Sequence, residues 1–301
     1  MREIICPICG KGDKALIYES TLPPGFDERR PPSPYSAHYR INSCNGCRLI
    51  HSSPVMDERG VAALYEQSSE TNVQPGEEDN VRRTMASYYR LAAPHLSGRH
   101  RMLDVGCDMG FLLEAAAADG FAEVHGIEPN PVARQVAQGI AKAHVGSRFF
   151  EDTDYPAAHF DLIAMIHVLD HLFDPRVVLR RALTNLCPGG LLLAVVHNVD
   201  SALAKLMGER FAIFNLFHHY FFDRRTLAEL FRANGFDVIA VEPTYNRYSL
   251  GFFVRRAPGI PVILRDATSR VLELSRIGSL PITLPVGNIG IVARRPRVPQ
   301  G

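Results

Sequence analysis

Four of the six cysteines fall into two Cys-x-x-Cys pairs, Cys6 and Cys9 in CPICG and Cys44 and Cys47 in CNGC, with thirty-four residues between the pairs. Two such knuckles supply four thiolates for one tetrahedral Zn²⁺, and each short turn lets both of its sulfurs point at the same ion. Four protein ligands leave no open coordination position, so the zinc would be structural. Gly10, directly after the first pair, suits a positive φ. Cys107 and Cys187 have no partner pattern and read as ordinary buried thiols.

A second chemical signal lies in MLDVGCDMGF, residues 102–111. An apolar strand runs into Gly106 and Gly110, and a helix follows, so a ligand could approach the backbone there. Glu128 ends the next strand about 20 residues on, where an acidic side chain can bind both ribose hydroxyls. These residues predict a nucleotide-type ligand. A nicotinamide dinucleotide is the rival, weakened because the turn lacks a full G-x-G-x-x-G. Titratable residues at strand ends or in the region above the sheet are His167, Asp170, His171, His197, His218 and His219. Histidine suits a general base because its pKa lies near neutrality.

The elements that must hold these groups follow from the pattern. Residues 1 to about 56 form a cysteine module with short strands at ALIYES and AHYRINSC, interrupted by the proline-rich loop TLPPGFDERRPPSP. DERGVAALYEQ predicts a short capped helix, and 67–78 a polar linker or lid. A helix follows over DNVRRTMASYYRLAAPHL, so that 57–98 reads as a helical linker or lid. From residue 99 strands and helices alternate: 101–105, 123–128, about 145–149, 159–166, LLLAVVH, FDVIAVEP and a final NIGIVARR. Asp174-Pro175 and Asp223 are helix starts, and Gly235 is a helix stop. The fold class is α/β, a mostly parallel sheet with helices on both faces and its ligand beyond the carboxyl ends of the strands. Insertions are expected at about 198–222 and 245–285.

The segments DVGCxxGFLL and IEPN resemble the first motif and the ribose-binding acidic motif of class I S-adenosylmethionine-dependent methyltransferases. HFDLIAMIHVLDHLFDP, LCPGGLLLAVV and HHYFFDRRTLAELFRANGF continue the likeness in the family's order across about residues 99–243. The cysteine knuckles with LIHSSPVMDERGVAALY also resemble methyltransferases that carry a fused zinc-ribbon-like segment and often serve glycan or secondary-metabolite pathways. The resemblance implies a Rossmann-like methyltransferase sheet with an antiparallel last strand, and S-adenosyl-L-methionine as cofactor. It places Asp104 at the methionine end, with Gly106, Cys107 and Gly110 flanking the cofactor. Glu128 falls on the ribose hydroxyls, Pro129 and Asn130 beside the adenosine, Glu151 or Asp152 near the adenine amino group, and His167 and Val168 near the sulfonium. Asp108 departs from the usual Gly, although Asp tolerates a left-handed backbone better than most residues. The chemistry would be in-line displacement at the methyl group, with His167, His171 and His218 as candidate bases.

Composition narrows the partners. The chain has 301 residues, 33 basic against 32 acidic, and a formal charge of +1. That excludes a globally basic nucleic-acid binder, and the first 60 residues carry only 8 basic and 7 acidic groups. A small-molecule acceptor (sugar, glycan precursor or secondary metabolite) is therefore preferred to RNA methylation or to a cofactor-binding scaffold without turnover. The near-zero total hides a split: residues 61–244 balance at −7 and residues 245–301 at +7. Apolar residues alternating with arginine over 245–285 suit an anionic acceptor or a membrane surface. No apolar run approaches the roughly 18–20 residues needed to span a bilayer, and the N-terminus lacks a signal-peptide pattern, so the expected location is cytoplasmic or membrane-peripheral.

Overall fold

A computed structural model describes residues 1–26, 37–57, 73–140, 143–256 and 277–297, with Gly60, Thr268 and Leu272. The expected helix after Asp57, most of the proline-rich loop, and Arg265, Arg270 and Arg276 lie outside the described residues.

The first elements are the strands β1 (Lys14–Tyr18), β2 (Ile41–Cys44) and β3 (Ile50–Ser52), which pair antiparallel in that order. Helix α1 (Glu78–Ala92) follows, buries Thr84, Tyr88, Tyr89 and Ala92, and leads to β4 (Arg101–Val105). It forms along the stretch DNVRRTMASYYRLAAPHL, where the sequence predicts a helix. Tyr88 donates to Asn246 Oδ1 at 2.5 Å, and Arg247 N donates to Thr84 Oγ1 at 2.9 Å, so the helix is fixed to the main sheet.

The main sheet continues through α2 (Phe111–Ala118), β5 (Glu123–Ile127), α3 (Pro131–Ala137), β6 (Ala143–Gly146), β7 (Phe160–Ile166), α4 (Pro175–Asn185) and β8 (Leu186–His197). Then come α5 (Ala202–Met207), β9 (Tyr220–Phe221), α6 (Arg224–Ala233), β10 (Asp237–Ser249), α7 (Leu250–Arg256) and β11 (Pro281–Arg294). The seven strands lie in the order β10-β11-β8-β7-β4-β5-β6. The five from β8 to β6 are parallel, and β11 runs antiparallel to both β8 and β10. Leu162–Met165 and Leu191–Val196 are fully buried, the near-continuous apolar signature of central parallel strands covered on both faces. The caps form where the sequence puts them: Asp174 Oδ1 accepts from Arg176 N at 3.0 Å, and Asp223 Oδ1 from Thr226 N at 2.7 Å.

Two boundaries differ from the sequence reading. Pro188-Gly189-Gly190 does not precede a strand but lies within β8. Phe160 pairs with Leu186 and Leu162 with Leu191, so the surplus residues bulge, and Gly189 takes φ +83°. The expected insertion over 245–285 begins and ends as sheet, since Asn246 faces Leu284 and Ser249 faces Pro281 in the β10–β11 pair.

The cysteine module is joined to the main body. Strand β9, which follows β8 in the chain, completes its sheet as β1-β2-β3-β9, with Ile50 opposite Phe221 and His51 opposite Tyr220. Cys6, Cys44, Leu49, Val55 and Met56 share one apolar core with Leu103, Ile163 and Leu192.

Candidate active site

The chain leaves β4 toward one side of the sheet through β5 and toward the other through β7, so the carboxyl ends of β4 and β7 flank the topological switch point. The turn after β4 holds three left-handed residues, Gly106 (φ +74°), Asp108 (φ +47°) and Gly110 (φ +82°). Asp108 thus adopts a left-handed backbone, which Asp tolerates better than most residues. Gly106 N and Cys107 N both donate to Ile127 O, at 2.8 and 3.0 Å. Glu128 fastens the turn: Oε2 accepts from Asp108 N at 2.9 Å and Oε1 from Asn130 N at 2.7 Å. Each oxygen retains a second lone pair. A Cβ on Gly110 would lie 2.4 Å from Ile140 Cδ1 and 3.1 Å from Ala137 Cβ, so this glycine serves the turn and its packing.

Asp104 ends β4 with its side chain buried, and its Oδ1 has no hydrogen bond among the described residues. Burial, then the charges of Glu128 and Asp108, push its pKa well above the usual carboxylate range. Cys107 is buried beside it, and Asn130 caps α3 by accepting from Val132 N at 2.9 Å, with Pro129 preceding. Glu151 and Asp152 are exposed on the single 3-10 turn Phe150–Asp152.

Across the switch point stands a group of four histidines around one carboxylate. A Cβ on Gly106 would meet Val168 Cγ2 at 2.9 Å, which puts the residues after β7 directly against the glycine turn. His167, at φ +55°, precedes Val168, and its ring centroid lies 4.5 Å from that of His197 at the end of β8. His197 Nδ1 lies 3.0 Å from Asp170 Oδ2. His218 Nε2 is 3.7 Å from the same oxygen, and His171 Nε2 is 3.9 Å from Asp170 Oδ1. The His171 and His218 ring centroids are 4.4 Å apart.

Asp170 is 1 % exposed, and burial by itself would raise its pKa. The hydrogen bond from His197 and the nearby imidazoles outweigh that and hold it below the usual carboxylate range. Being ionised, it can only accept, so His197 Nδ1 carries the proton, and in the neutral ring Nε2 is the atom that can accept one. Burial pushes His167 down to about 3, and pushes His171 and His218 down as well, which keeps these imidazoles neutral. The His197 side chain is 27 % exposed, so it alone combines a carboxylate partner at hydrogen-bond distance with access to solvent.

The cysteines converge as their spacing predicts. The four Sγ atoms all lie within 4.8 Å of one another, with Cys6 and Cys47 at 3.3 Å and Cys9 and Cys44 at 3.4 Å. Burial raises the Cys44 pKa, but the backbone N–H groups of Cys47 and Gly46 outweigh it and bring it to about 7, which favours a thiolate. The donor set and its spacing fit a tetrahedral Zn²⁺. Cys187 is only half-buried and sits 3.2 Å from Ala158 O, so it departs from the expected buried thiol.

His167, His171 and His218, separated in the chain by up to 51 positions, thus meet at one carboxylate. Asp170 was among the sequence candidates, and the structure makes it the hub; Asn215 behind His218 is what residue types alone did not single out. The spacing Asn215-x-x-His218 was the available signal.

A seven-stranded sheet of this order, with this turn and acid, defines a class I methyltransferase fold. The match to the methyltransferase domain family spans residues 78–241, more than half the chain, and the chain belongs to that family. A ubiquinone biosynthesis O-methyltransferase of Alkalilimnicola ehrlichii is 31 % identical over 128 residues, 39 % of this chain and 50 % of that protein. One from Yersinia pestis is 30 % identical over 121 residues, 38 % of this chain and 50 % of that protein. The chain thus spans about half the length of these relatives. YcgJ of Bacillus subtilis shares the fold at a TM-score of 0.50 and 18 % identity, over 70 % of this chain and 99 % of that one. So does a chain of the complex between the Haloferax volcanii Trm112 methyltransferase activator and its methyltransferase, at 0.50 and 16 %, over 74 % and 93 %. Among the described residues no helix is long and apolar enough to cross a membrane.

Proposed function

We propose that this protein transfers the methyl group of S-adenosyl-L-methionine to a hydroxyl of a small-molecule acceptor, with His197 as general base. The observation that carries the reading is the Asp170–His197 pair, 3.0 Å apart, beside the glycine turn. The cofactor supplies an electrophilic methyl on a sulfonium. Asp104 would face that cation, and the turn from Gly106 to Gly110 with Cys107, Glu128, Pro129 and Asn130 would hold the nucleoside, with Asp152 toward the adenine. His167 and Val168 wall the cleft between cofactor and acceptor. With the cofactor bound, its methyl would pass to the acceptor oxygen, the C–S electron pair staying on the sulfur, and His197 Nε2 would take the acceptor proton. Asp170 holds the Nδ1 proton and stabilises the resulting imidazolium.

The relatives' names as O-methyltransferases support an oxygen acceptor. The arginine excess of residues 245–301 favours an acceptor bearing an anionic group, such as a phosphorylated or nucleotide-linked sugar. We further propose that Cys6, Cys9, Cys44 and Cys47 hold one structural Zn²⁺. The test is calorimetric titration with S-adenosylmethionine against NAD, followed by S-adenosylhomocysteine release with a panel of nucleotide sugars and polyphenols. Binding of S-adenosylmethionine alone, with turnover on a hydroxylated acceptor, is expected. Binding of NAD instead would overturn the reading.

A further inference from the structure

The geometry points to a second metal site, distinct from the cysteines, in which Asp170, His171 and His218 bind a divalent transition-metal ion. The argument begins at Asn215. Its Nδ2 donates to Ala212 O at 3.0 Å, and its Oδ1 accepts from Phe217 N at 2.9 Å, which fixes the orientation of the amide. The same Oδ1 lies 3.0 Å from His218 Nδ1, so that nitrogen must carry the proton. In the neutral imidazole His218 Nε2 is then left with its lone pair, 3.7 Å from Asp170 Oδ2. Two electron-rich atoms face each other in a buried place.

Asp170 adds a second mismatch. Its Oδ2 is taken by His197, whereas Oδ1 is buried and has no hydrogen bond among the described residues. An unsatisfied buried carboxylate oxygen costs free energy that the surroundings should recover. His171 Nε2 lies 3.9 Å from it. One ligand atom from each of Asp170, His171 and His218 lies within 4.8 Å of the others. A cation among them would satisfy Oδ1 and occupy the lone pair of His218.

Two imidazoles and one carboxylate select a borderline ion of the manganese-to-zinc series over Mg²⁺ or Ca²⁺, which prefer oxygen ligands. The outer contacts have the form such sites require. Asn215 orients one ligand through its other ring nitrogen, and His197 anchors the carboxylate. The His171 side chain is 22 % exposed, which gives the ion a path in and leaves room for an oxygen ligand from outside. Any role for the ion in polarising the acceptor hydroxyl rests on the reading proposed above; its binding does not.

The test titrates the full chain, first saturated with Zn²⁺ at the cysteines, with Co²⁺. Calorimetry should show one further equivalent, with visible d–d bands and no thiolate charge-transfer band. His171→Ala should abolish it, and Asn215→Ala should weaken it about 10–100-fold, as expected for loss of an orienting outer contact. His171 is partly exposed, so that variant serves even if Asp170→Asn fails to fold. Absence of the further equivalent in the wild type, or its persistence in the His171→Ala/His218→Ala double variant, would overturn the proposal. S-adenosylmethionine affinity measured on the same samples separates this failure from failure of the methyl-transfer reading.

Discussion

Asp170 accepts the Nδ1 proton of His197 at 3.0 Å through its side chain, while its backbone oxygen accepts the N–H groups of both His219 and Tyr220. One residue after β7 thereby sets the base at the end of β8 and the start of β9 together. His197→Ala should lower turnover by about 10²–10⁴-fold, the usual weight of a general base, with cofactor affinity retained. Asp170→Asn should also lose turnover, because an amide can donate to Nδ1 and thus reverse the tautomer. The check is kcat from S-adenosylhomocysteine release beside calorimetric affinity for each variant. Full turnover in His197→Ala would remove His197 as the base.

Asp104 carries a pH dependence of cofactor binding. Burial, reinforced by Glu128 and Asp108, raises its pKa, so the free protein holds the proton to a higher pH than an ordinary carboxylate. A cationic ligand favours the ionised form. Affinity for S-adenosylmethionine should therefore rise with pH up to the pKa of the free protein, with release of a proton on binding. Calorimetry in buffers of different ionisation enthalpy measures that release, and Asp104→Asn should abolish it. S-adenosylhomocysteine, which lacks the sulfonium charge, should show a smaller effect.

Much of the cofactor half was legible because it is local. Strand, glycine turn, helix and acid occupy residues 101–128 in one unbroken run, and the caps at Asp174 and Asp223 are set by residues three or fewer positions away. The histidine group was legible only as a set of residue types. His167, His197 and His218 come from three separate segments, and the pairing of β7 with β8, the pairing of β3 with β9 and the Asp170 backbone contacts bring them together. The role of α1 was hidden for a similar reason. Its buried face is explained by Asn246 and Arg247 on β10, more than 150 residues later.

Gly110 tests whether the turn tolerates a side chain. Alanine at φ +82° costs roughly 1–2 kcal/mol for the left-handed backbone. Its Cβ would meet Ile140 Cδ1 at 2.4 Å and Ala137 Cα at 3.2 Å, and such overpacking adds about 1–3 kcal/mol. Gly110→Ala should lower the denaturant midpoint by an amount equivalent to about 2–5 kcal/mol and weaken S-adenosylmethionine binding. Gly120 also has positive φ (+97°), but a Cβ there would meet nothing within 4 Å, so Gly120→Ala should cost only the backbone part.

The cysteine module should act on the histidines through the backbone. Ser52 N donates to His219 O at 2.8 Å, and Ser52 Oγ donates to His218 O at 3.1 Å. Ser52 ends β3, which pairs with β2, and β2 itself ends at Cys44. A tetrahedral ion on the cysteines would hold this three-strand path, whereas the glycine turn and Glu128 are braced by β5 and α3. Cys44→Ser should release the zinc, measurable as loss of one equivalent with a chromogenic chelator. Turnover should fall about 10-fold or more, the scale of losing an orienting contact, while S-adenosylmethionine affinity stays within about 2-fold. If both fell together, the module would be supporting the whole domain; if neither fell, β9 would hold the histidines without it.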